Sequence, residues 1–296
     1  MLFHAGNASQ PRHDSVQVHG VWVHYFVAGI GAPIVHLPGG PGMSHVTLLP
    51  LVDLMAPLPY QNIIIDFRGV GASQAPLTAE HIGYDNIVED IEAVRSKLHI
   101  KKWIVSGHSA GGQFAMYYTV KHPAAVEKLI LISSVDADNA FQSYFVHNVS
   151  SRLTPEARAQ MAKYRQPDEV KKDSMQAECE GMKTLFTAYF YDYKKAKAFI
   201  DTISQATYFA MNSTPYFNAF TYSEEYTRFN INRQLKNIKV PTLIIEGRQD
   251  PLGAEIPIRL QERIPGARLR FIDECGHLPW VEQPKTLLNI LAAFLL

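Results

Sequence analysis

The sequence contains little cysteine: only Cys179 and Cys275 occur among 296 residues. Two cysteines without Cys-x-x-Cys spacing are too few for a disulfide framework or a structural zinc site. We therefore expect no disulfide, no metal and no cofactor. Cys275 lies two residues before His277, but no partner base stands near it in the sequence, so we interpret it as a small packing residue.

The sequence also lacks net charge and long apolar runs. Its 28 basic and 28 acidic residues cancel, so no global field attracts nucleic acid or an anionic membrane. No run of about 18 apolar residues is present, and the first residues lack a basic segment followed by an apolar one. We expect a soluble, cytoplasmic protein whose partner is a small molecule or a short peptide. The sequence does not determine the oligomeric state.

Neither an internal repeat nor a Gly/Ser-rich linker divides the chain, so its organisation must come from hydrophobic periodicity. Short apolar runs predict strands, and segments with helical spacing lie between them. Alternating strands and helices are typical of a parallel sheet covered by helices. The predicted strands are 21–28, 32–38, 62–67, 102–108, 128–134, 240–247 and 267–273, and the clearest helices are 86–98, 111–121, 256–264 and 286–296.

One stretch interrupts the alternation. Residues 136–236 contain no convincing buried strand, only amphipathic, aromatic-rich segments broken by prolines. An insertion of this length between two strands of a sheet is typical of a functional cap. We therefore predict a core formed by residues 1–135 and 237–296, with residues 136–236 as a helical lid. The alternative is a second packing layer without a function of its own.

The strongest chemical motif is GHSAGG at residues 107–112, placed between a predicted strand and a predicted helix. Glycines on both sides of a serine allow a strained turn that presents the hydroxyl at the carboxyl end of the sheet. The helix that follows favours developing negative charge near its N-terminus. The pattern predicts Ser109 as a nucleophile, and the alternative is a plain glycine-rich turn.

A second glycine-rich loop, PGGPG at residues 38–42, follows another predicted strand. Such a loop lets backbone N–H groups approach a reacting carbonyl. We predict that the N–H groups of Gly40 and Ala110 form an oxyanion hole. The alternative is a simple turn, because Pro-Gly pairs punctuate loops in general.

A serine nucleophile needs a base and a group that orients the base. His277 follows the last predicted strand, and Asp250 follows the strand before it, which gives the chain order Ser, Asp, His. We predict His277 as general base and Asp250 as its orienting acid. Asp136 is the rival acid because it also follows a predicted strand; we interpret it as a helix cap or a residue at the lid hinge.

Taken together, these motifs resemble those of α/β-hydrolases, and in particular those of the proline iminopeptidases. The resemblance covers nearly the whole chain and includes the stretch DFRGVGAS at residues 66–73. It departs from the iminopeptidase pattern at Pro38, where histidine is usual, and at Ala110, where an aromatic residue is usual. It implies an α/β-hydrolase fold and the release of an N-terminal residue from small peptides. Epoxide hydrolases and haloalkane dehalogenases are disfavoured because they carry aspartate where this chain has Ser109.

An aminopeptidase must also bind a free amine, and buried ammonium groups need carboxylate partners. The resemblance implies that lid glutamates supply them, with Glu180 at one position and Gln205, in place of an acid, at the other. Glu178, Glu224 and Glu225 are further lid carboxylates that could compensate. We therefore expect weak or shifted amine recognition. An ester, lactone or carbon–carbon bond hydrolase, or a non-catalytic ligand-binding protein on this fold, remain alternatives.

Overall fold

A computed structural model describes residues 11–205, 207 and 214–296. One eight-stranded sheet forms its centre, in the order β1-β2-β4-β3-β5-β6-β7-β8. Strands β3 to β8 run parallel to one another, whereas β2 pairs antiparallel with both β1 and β4. The strands are Arg12–Val18 (β1), Val21–Ala28 (β2), Ala32–Leu37 (β3), Tyr60–Ile65 (β4), Trp103–His108 (β5), Val126–Ile132 (β6), Thr242–Gly247 (β7) and Arg268–Ile272 (β8).

Helices cover the sheet and connect its parallel strands. Those of the core are Leu49–Met55 (α1), Ala79–Ile82 (α2), Tyr84–Lys97 (α3), Ala110–Lys121 (α4), Glu255–Arg263 (α12), Pro279–Glu282 (α13) and Pro284–Leu295 (α14). Those between β6 and β7 are Gln142–Arg152 (α5), Pro155–Tyr164 (α6), Pro167–Lys172 (α7), Ser174–Phe186 (α8), Tyr193–Ile200 (α9), Thr214–Thr221 (α10) and Glu224–Arg228 (α11). Within the described ranges, no helix is long and apolar enough to cross a membrane.

Alternate residues of the central strands face opposite sides of the sheet, as strand geometry requires. On one side, Val105 and Leu131 join a core that includes the buried faces of α3, α4 and α12. On the other side, Ile104 and Ile130 pack with the buried faces of α1, α9 and α14. Both faces of the sheet are therefore buried, which explains why the central strands are continuously apolar.

The predicted fold class, a mostly parallel sheet covered by helices, is confirmed. Each predicted strand and each of the four clearest predicted helices lies within two residues of an observed element. Strand β1 is absent from the prediction because its sequence, RHDSVQV, is polar and only its last residue is buried. The missed signal is His19-Gly20, which has positive φ at both residues and joins β1 to β2 as a two-residue hairpin turn.

The segment between β6 and β7 is helical and contains no strand in its described part. Its two ends meet through a bridge between Asp138 and Asn230 and a hydrogen bond from Ile231 N to Ala137 O of 3.0 Å. The chain therefore leaves the core and returns to it at one place. The boundaries 136 and 236 remain predictions, as does the action of this segment, the helical insertion, as a lid.

Candidate active site

Ser109 occupies the sharp turn between β5 and α4. Its backbone has φ 55° and ψ −125°, a conformation that is costly for a residue with a side chain. The turn is held on one side by a hydrogen bond from Ser109 N to Ile132 O of 3.1 Å. The strained conformation predicted for the serine is thus present, and Ser109 lies at the carboxyl edge of the parallel sheet.

The glycines around Ser109 are required by close backbone packing. A Cβ at Gly107 would overlap Gly111 O, and a Cβ at Gly111 would overlap Leu37 O. A Cβ at Gly39 would lie 2.9 Å from the Cβ of Ser109, so the loop after β3 passes directly against the serine. Only glycine lets β3, β5 and α4 meet this closely.

Gly40 and Ala110, the predicted oxyanion-hole residues, line the large cavity together with Ser109. Gly40 has φ 119° and lines the same pocket as Ser109 and His277, while Ala110 is the first residue of α4. Within the described residues, neither backbone N–H donates a hydrogen bond. Both donors are therefore available to a ligand, and the predicted oxyanion hole remains a proposal that this arrangement allows.

His277 and Asp250 form a buried pair at the same edge of the sheet. His277 Nδ1 lies 2.6 Å from Asp250 Oδ2, while Leu252 N donates to Asp250 Oδ1 at 2.8 Å. Burial alone would raise the pKa of Asp250, but the attraction of His277 and these hydrogen bonds hold the pKa below its usual value. Asp250 is therefore a carboxylate, and Nδ1 of His277 carries the proton between them.

The rival acid, Asp136, lies elsewhere. Its Oδ2 accepts hydrogen bonds from Arg259 Nη2 at 2.7 Å and from Arg259 Nε at 2.9 Å, and Arg263 lies 3.4 Å from its Oδ1. Asp136 thus joins the loop after β6 to α12. The structure brings Asp250, and not Asp136, to the histidine.

Three residues that the sequence did not single out hold the backbone around His277. Tyr189 O accepts a hydrogen bond from His277 N at 2.7 Å, and the His108 ring donates from Nε2 to His277 O at 3.0 Å. Burial lowers the pKa of His108 to about 3, so this ring is neutral. Glu282 accepts hydrogen bonds from three backbone N–H groups, those of residues 191, 192 and 276.

Only weak sequence signals mark these supporting residues. His108 is the variable position of the serine motif, and Glu282 is a lone acid in the apolar stretch LPWVEQP. Tyr189 contributes through its backbone carbonyl, which any residue type carries. Cys275 is buried and burial raises the pKa of its thiol, in agreement with a packing role rather than a reactive one.

Two cavities reach Ser109. A small one of about 50 Å³ is lined by Ser109, His277, His108 and Trp280 among others. A second, of about 1180 Å³, runs from Gly40, Ser109 and Ala110 along the helical insertion. Most of the side chains that line the larger cavity are apolar, with Arg158 and Arg165 among the polar ones. Among the described residues, no Asp or Glu lines either cavity.

Three of the four lid carboxylates considered for amine binding have other partners. Glu180 is paired with Lys183 one helical turn away, with Oε1 and Nζ 2.9 Å apart. Glu224 pairs with Arg228, and Glu225 accepts a hydrogen bond from Tyr84 N at 2.9 Å. Gln205 is half-buried, but most of the stretch 206–209 lies outside the described residues. The structure does not bring Glu180 into the walls of the cavities, and its predicted role in amine binding remains untested.

Comparison with known proteins identifies the family. The sequence model of the α/β-hydrolase fold family matches residues 32–284, which is most of the chain. The chain belongs to the α/β-hydrolase fold family. It is 28% identical over 275 residues to a proline iminopeptidase of Lactobacillus helveticus, covering 89% of each chain. The suspected resemblance is thereby confirmed, and a hydrolase is supported at this level.

Solved α/β-hydrolase structures share the architecture. Est816, described as an N-acyl homoserine lactone degrading enzyme, superposes with a TM-score of 0.71 at 24% identity, over 95% of this chain and all of that one. The proline iminopeptidase of Mycobacterium smegmatis superposes with a TM-score of 0.69 at 18% identity, over 96% and 97%. At such identities these likenesses show the fold and not the substrate.

Proposed function

We propose that this α/β-hydrolase is a serine hydrolase that forms an acyl-enzyme on Ser109, with His277 as general base and Asp250 as its orienting acid. The observation that carries the proposal is the buried 2.6 Å contact between His277 Nδ1 and Asp250 Oδ2, beside the pocket that His277 shares with the strained Ser109. This combination of serine, histidine and acid is the one that acyl transfer requires.

Acylation begins when the Ser109 hydroxyl attacks the carbonyl carbon of the substrate. Because Asp250 holds the Nδ1 proton of His277, Nε2 is the atom left to accept the serine proton. The imidazolium that forms is stabilised by the Asp250 carboxylate, and it then returns the proton to the leaving group. Water, activated by the same histidine, releases the acyl group from Ser109 in the second half of the reaction.

Negative charge develops on the carbonyl oxygen in both halves of this reaction. The N–H groups of Gly40 and Ala110 are the proposed donors to it, since both residues line the cavity at Ser109 and neither N–H has a partner within the described residues. The first turn of α4 adds its favourable dipole. A single donor of this kind typically lowers the barrier by about 3 kcal/mol.

The first candidate substrate is a short peptide from which the N-terminal residue is released. The similarity to proline iminopeptidases along nearly the whole chain supports it. Such a substrate presents an ammonium group that must be neutralised when it is buried.

The second candidate is a neutral carboxylic ester, lactone or carbon–carbon substrate with a large apolar group. The apolar cavity next to Ser109 supports it, because its described walls include no carboxylate to receive an ammonium. The residues that the structure does not describe also include no Asp or Glu; they are 1–10, 206 and 208–213. We therefore favour a neutral apolar substrate over a free amine.

Labelling with a fluorophosphonate tests the proposed nucleophile. Wild-type protein should be labelled, and Ser109→Ala should abolish both the label and turnover while the fold, followed by circular dichroism, is retained. Ser150→Ala is the matched control, since Ser150 also lines the large cavity, and it should keep the label. Unlabelled wild-type protein would instead support a non-catalytic binding protein.

A parallel screen separates the two candidate substrates. Purified protein is assayed against p-nitrophenyl esters of increasing acyl length and against aminoacyl-naphthylamides, including the prolyl compound. Cleavage of the esters without cleavage of prolyl-naphthylamide would support the neutral substrate, whereas efficient cleavage of the prolyl compound would support the iminopeptidase.

A further inference from the structure

The side chain of Glu246 carries a buried carboxyl group that takes no part in the catalytic steps above. It lies on β7, four residues before Asp250, and is 1% exposed. Within the described part of the chain, neither of its carboxyl oxygens receives a hydrogen bond from a donor group. A buried carboxylate without any donor is among the most costly groups a protein core can contain.

The neighbour of Glu246 explains how this cost is avoided. Besides burial, the charge of Asp250 and a hydrogen bond between the two side chains raise the pKa of Glu246. Two carboxylates cannot hydrogen-bond each other, because both only accept, and two like charges in contact cannot both persist in a dry core. One of the pair must carry a proton. Asp250 already has two donors, His277 Nδ1 and Leu252 N, whereas Glu246 has none, so the proton belongs on Glu246.

We propose that Glu246 is a protonated positioning residue that donates a hydrogen bond to Asp250 and extends the array of Ser109, His277 and Asp250 by one member. The catalytic part of this role rests on the proposed function. Burial and the adjacent Asp250 charge both raise the pKa of Glu246 well above its ordinary value, in agreement with this arrangement. The proton stays on Glu246 throughout the reaction and fixes the Asp250 carboxylate against His277.

The donor also shares the negative charge of Asp250. Without it, Asp250 would pair more strongly with the His277 imidazolium and hold that charged form to higher pH. Removal of the donor should therefore move the acid limb of the pH profile of kcat/KM to higher pH. Four further titratable groups interact electrostatically with this pair and are the same in wild type and variants; they are His108, Arg152, Tyr189 and Cys275.

The first test counts protons and needs no substrate. In the unfolded chain Glu246 ionises near its ordinary pKa, so unfolding of wild type should release one more proton than unfolding of Glu246→Gln. From about pH 5 upward, the unfolding constant of wild type should therefore rise relative to the variant by about tenfold per pH unit. The sign follows because the folded state binds the extra proton. Parallel pH dependences would show that Glu246 is ionised in the folded protein and would overturn the proposal.

The second test uses kinetics and a rescue. Glu246→Gln retains an N–H donor to Asp250 and should keep the wild-type acid limb with most of kcat. Glu246→Leu, of similar size and without a donor, should move that limb to higher pH and lower kcat. If both variants lose kcat equally and their pH profiles do not shift, Glu246 has only a structural role and the proposal is wrong. If Glu246→Leu does not fold, the comparison of proton release between wild type and Glu246→Gln still tests whether Glu246 is protonated.

Glu282→Gln provides a matched contrast. Glu282 is equally buried, but it accepts three backbone N–H bonds, so its amide variant turns a donor group towards those N–H groups. We expect Glu282→Gln to destabilise the fold where Glu246→Gln does not. Turnover that survives in Ser109→Ala would refute the proposed function but would not affect the measurement of proton release on unfolding. Failure of the proposed function can therefore be distinguished from failure of the proposal for Glu246.

Discussion

Asp250 and Asp136 are both buried acids that follow neighbouring strands, and their partners differ in chemistry. Asp250 faces an imidazole that must gain and lose a proton during the proposed reaction, while Asp136 faces two guanidinium groups that never do. A carboxylate beside a histidine orients a base. A carboxylate between arginines joins two segments of the fold.

Replacement of each acid by its amide should therefore have opposite consequences. Asp250→Asn should lower kcat by roughly 10⁴-fold, because the amide favours the wrong histidine tautomer. Asp136→Asn should leave kcat near wild type and lower the free energy of unfolding by about 1 kcal/mol, since its arginine partners are one-third exposed. Kinetics and chemical denaturation of both variants check this. The reverse ranking would return Asp136 to the site.

At the residue level, the sequence singled out the three residues that we propose to react, but not the residues that hold them in place. Ser109, Asp250 and His277 follow strand ends, and strand ends are readable from apolar runs. Glu282 and Glu246 are meaningful only through contacts with distant segments or with a neighbour in the folded core, which no local pattern encodes. Glu180 is the reverse case: its motif suggested a ligand contact, but its nearest partner is Lys183 on its own helix.

At the level of elements, the turn from β5 to α4 is the most constrained segment of the site. Gly111 abuts the backbone of β3, so an added methyl group has nowhere to move. Gly181, in the middle of α8, is the opposite case, because a Cβ there would meet nothing within 4 Å. Substitution of Gly111 therefore tests a packing requirement, whereas substitution of Gly181 tests helix propensity alone.

Alanine at each of these glycines provides a matched pair. Gly111→Ala should destabilise the fold and reduce turnover sharply, because the methyl group would push β3 and the glycine-rich loop that follows it away from Ser109. Gly181→Ala should raise the free energy of unfolding by about 0.5–1 kcal/mol, as alanine is the better helix former. Thermal unfolding and ester turnover measure both effects. An active, stable Gly111→Ala protein would contradict the close approach described here.

The elements of the core were predictable because their burial makes them apolar, and the strand that the prediction missed follows the same rule. Strand β1 lies at the sheet edge, where polar residues are tolerated, so its pattern resembles a loop. For the insertion, the sequence predicted helical character but not the bounds of single helices, some of which pack on the core through aromatic residues such as Tyr216, Phe220 and Tyr226.

At the scale of the whole molecule, the site is shared between the sheet and the helical insertion. The sheet supplies Ser109, Asp250 and His277, and the insertion supplies Tyr189, whose carbonyl holds the His277 backbone. The insertion also supplies most of the wall of the large cavity. The proposed reacting groups and most of the cavity wall thus come from different parts of the fold, so they can be altered separately.

The cavity wall predicts a preference for long acyl chains. Each methylene that moves from water into an apolar wall contributes about 0.8 kcal/mol, or up to about fourfold in kcat/KM. We therefore expect p-nitrophenyl octanoate to be hydrolysed with a much higher kcat/KM than p-nitrophenyl acetate. Prolyl-naphthylamide gains less from such a wall, and Glu180→Gln should leave its KM unchanged if Glu180 is occupied by Lys183.

Filling the cavity tests whether this wall is where the acyl chain binds. Met182 on α8 lines the cavity, whereas Met175 on the same helix is 46% exposed and does not. Met182→Trp should lower kcat/KM for the octanoate ester at least tenfold and change the acetate ester little, because only the long chain competes with the indole for space. Met175→Trp, the control, should alter neither substrate. Equal losses for both esters in Met182→Trp would mean that the substitution disturbs Ser109 itself, and a variant that still prefers octanoate would place the acyl chain elsewhere.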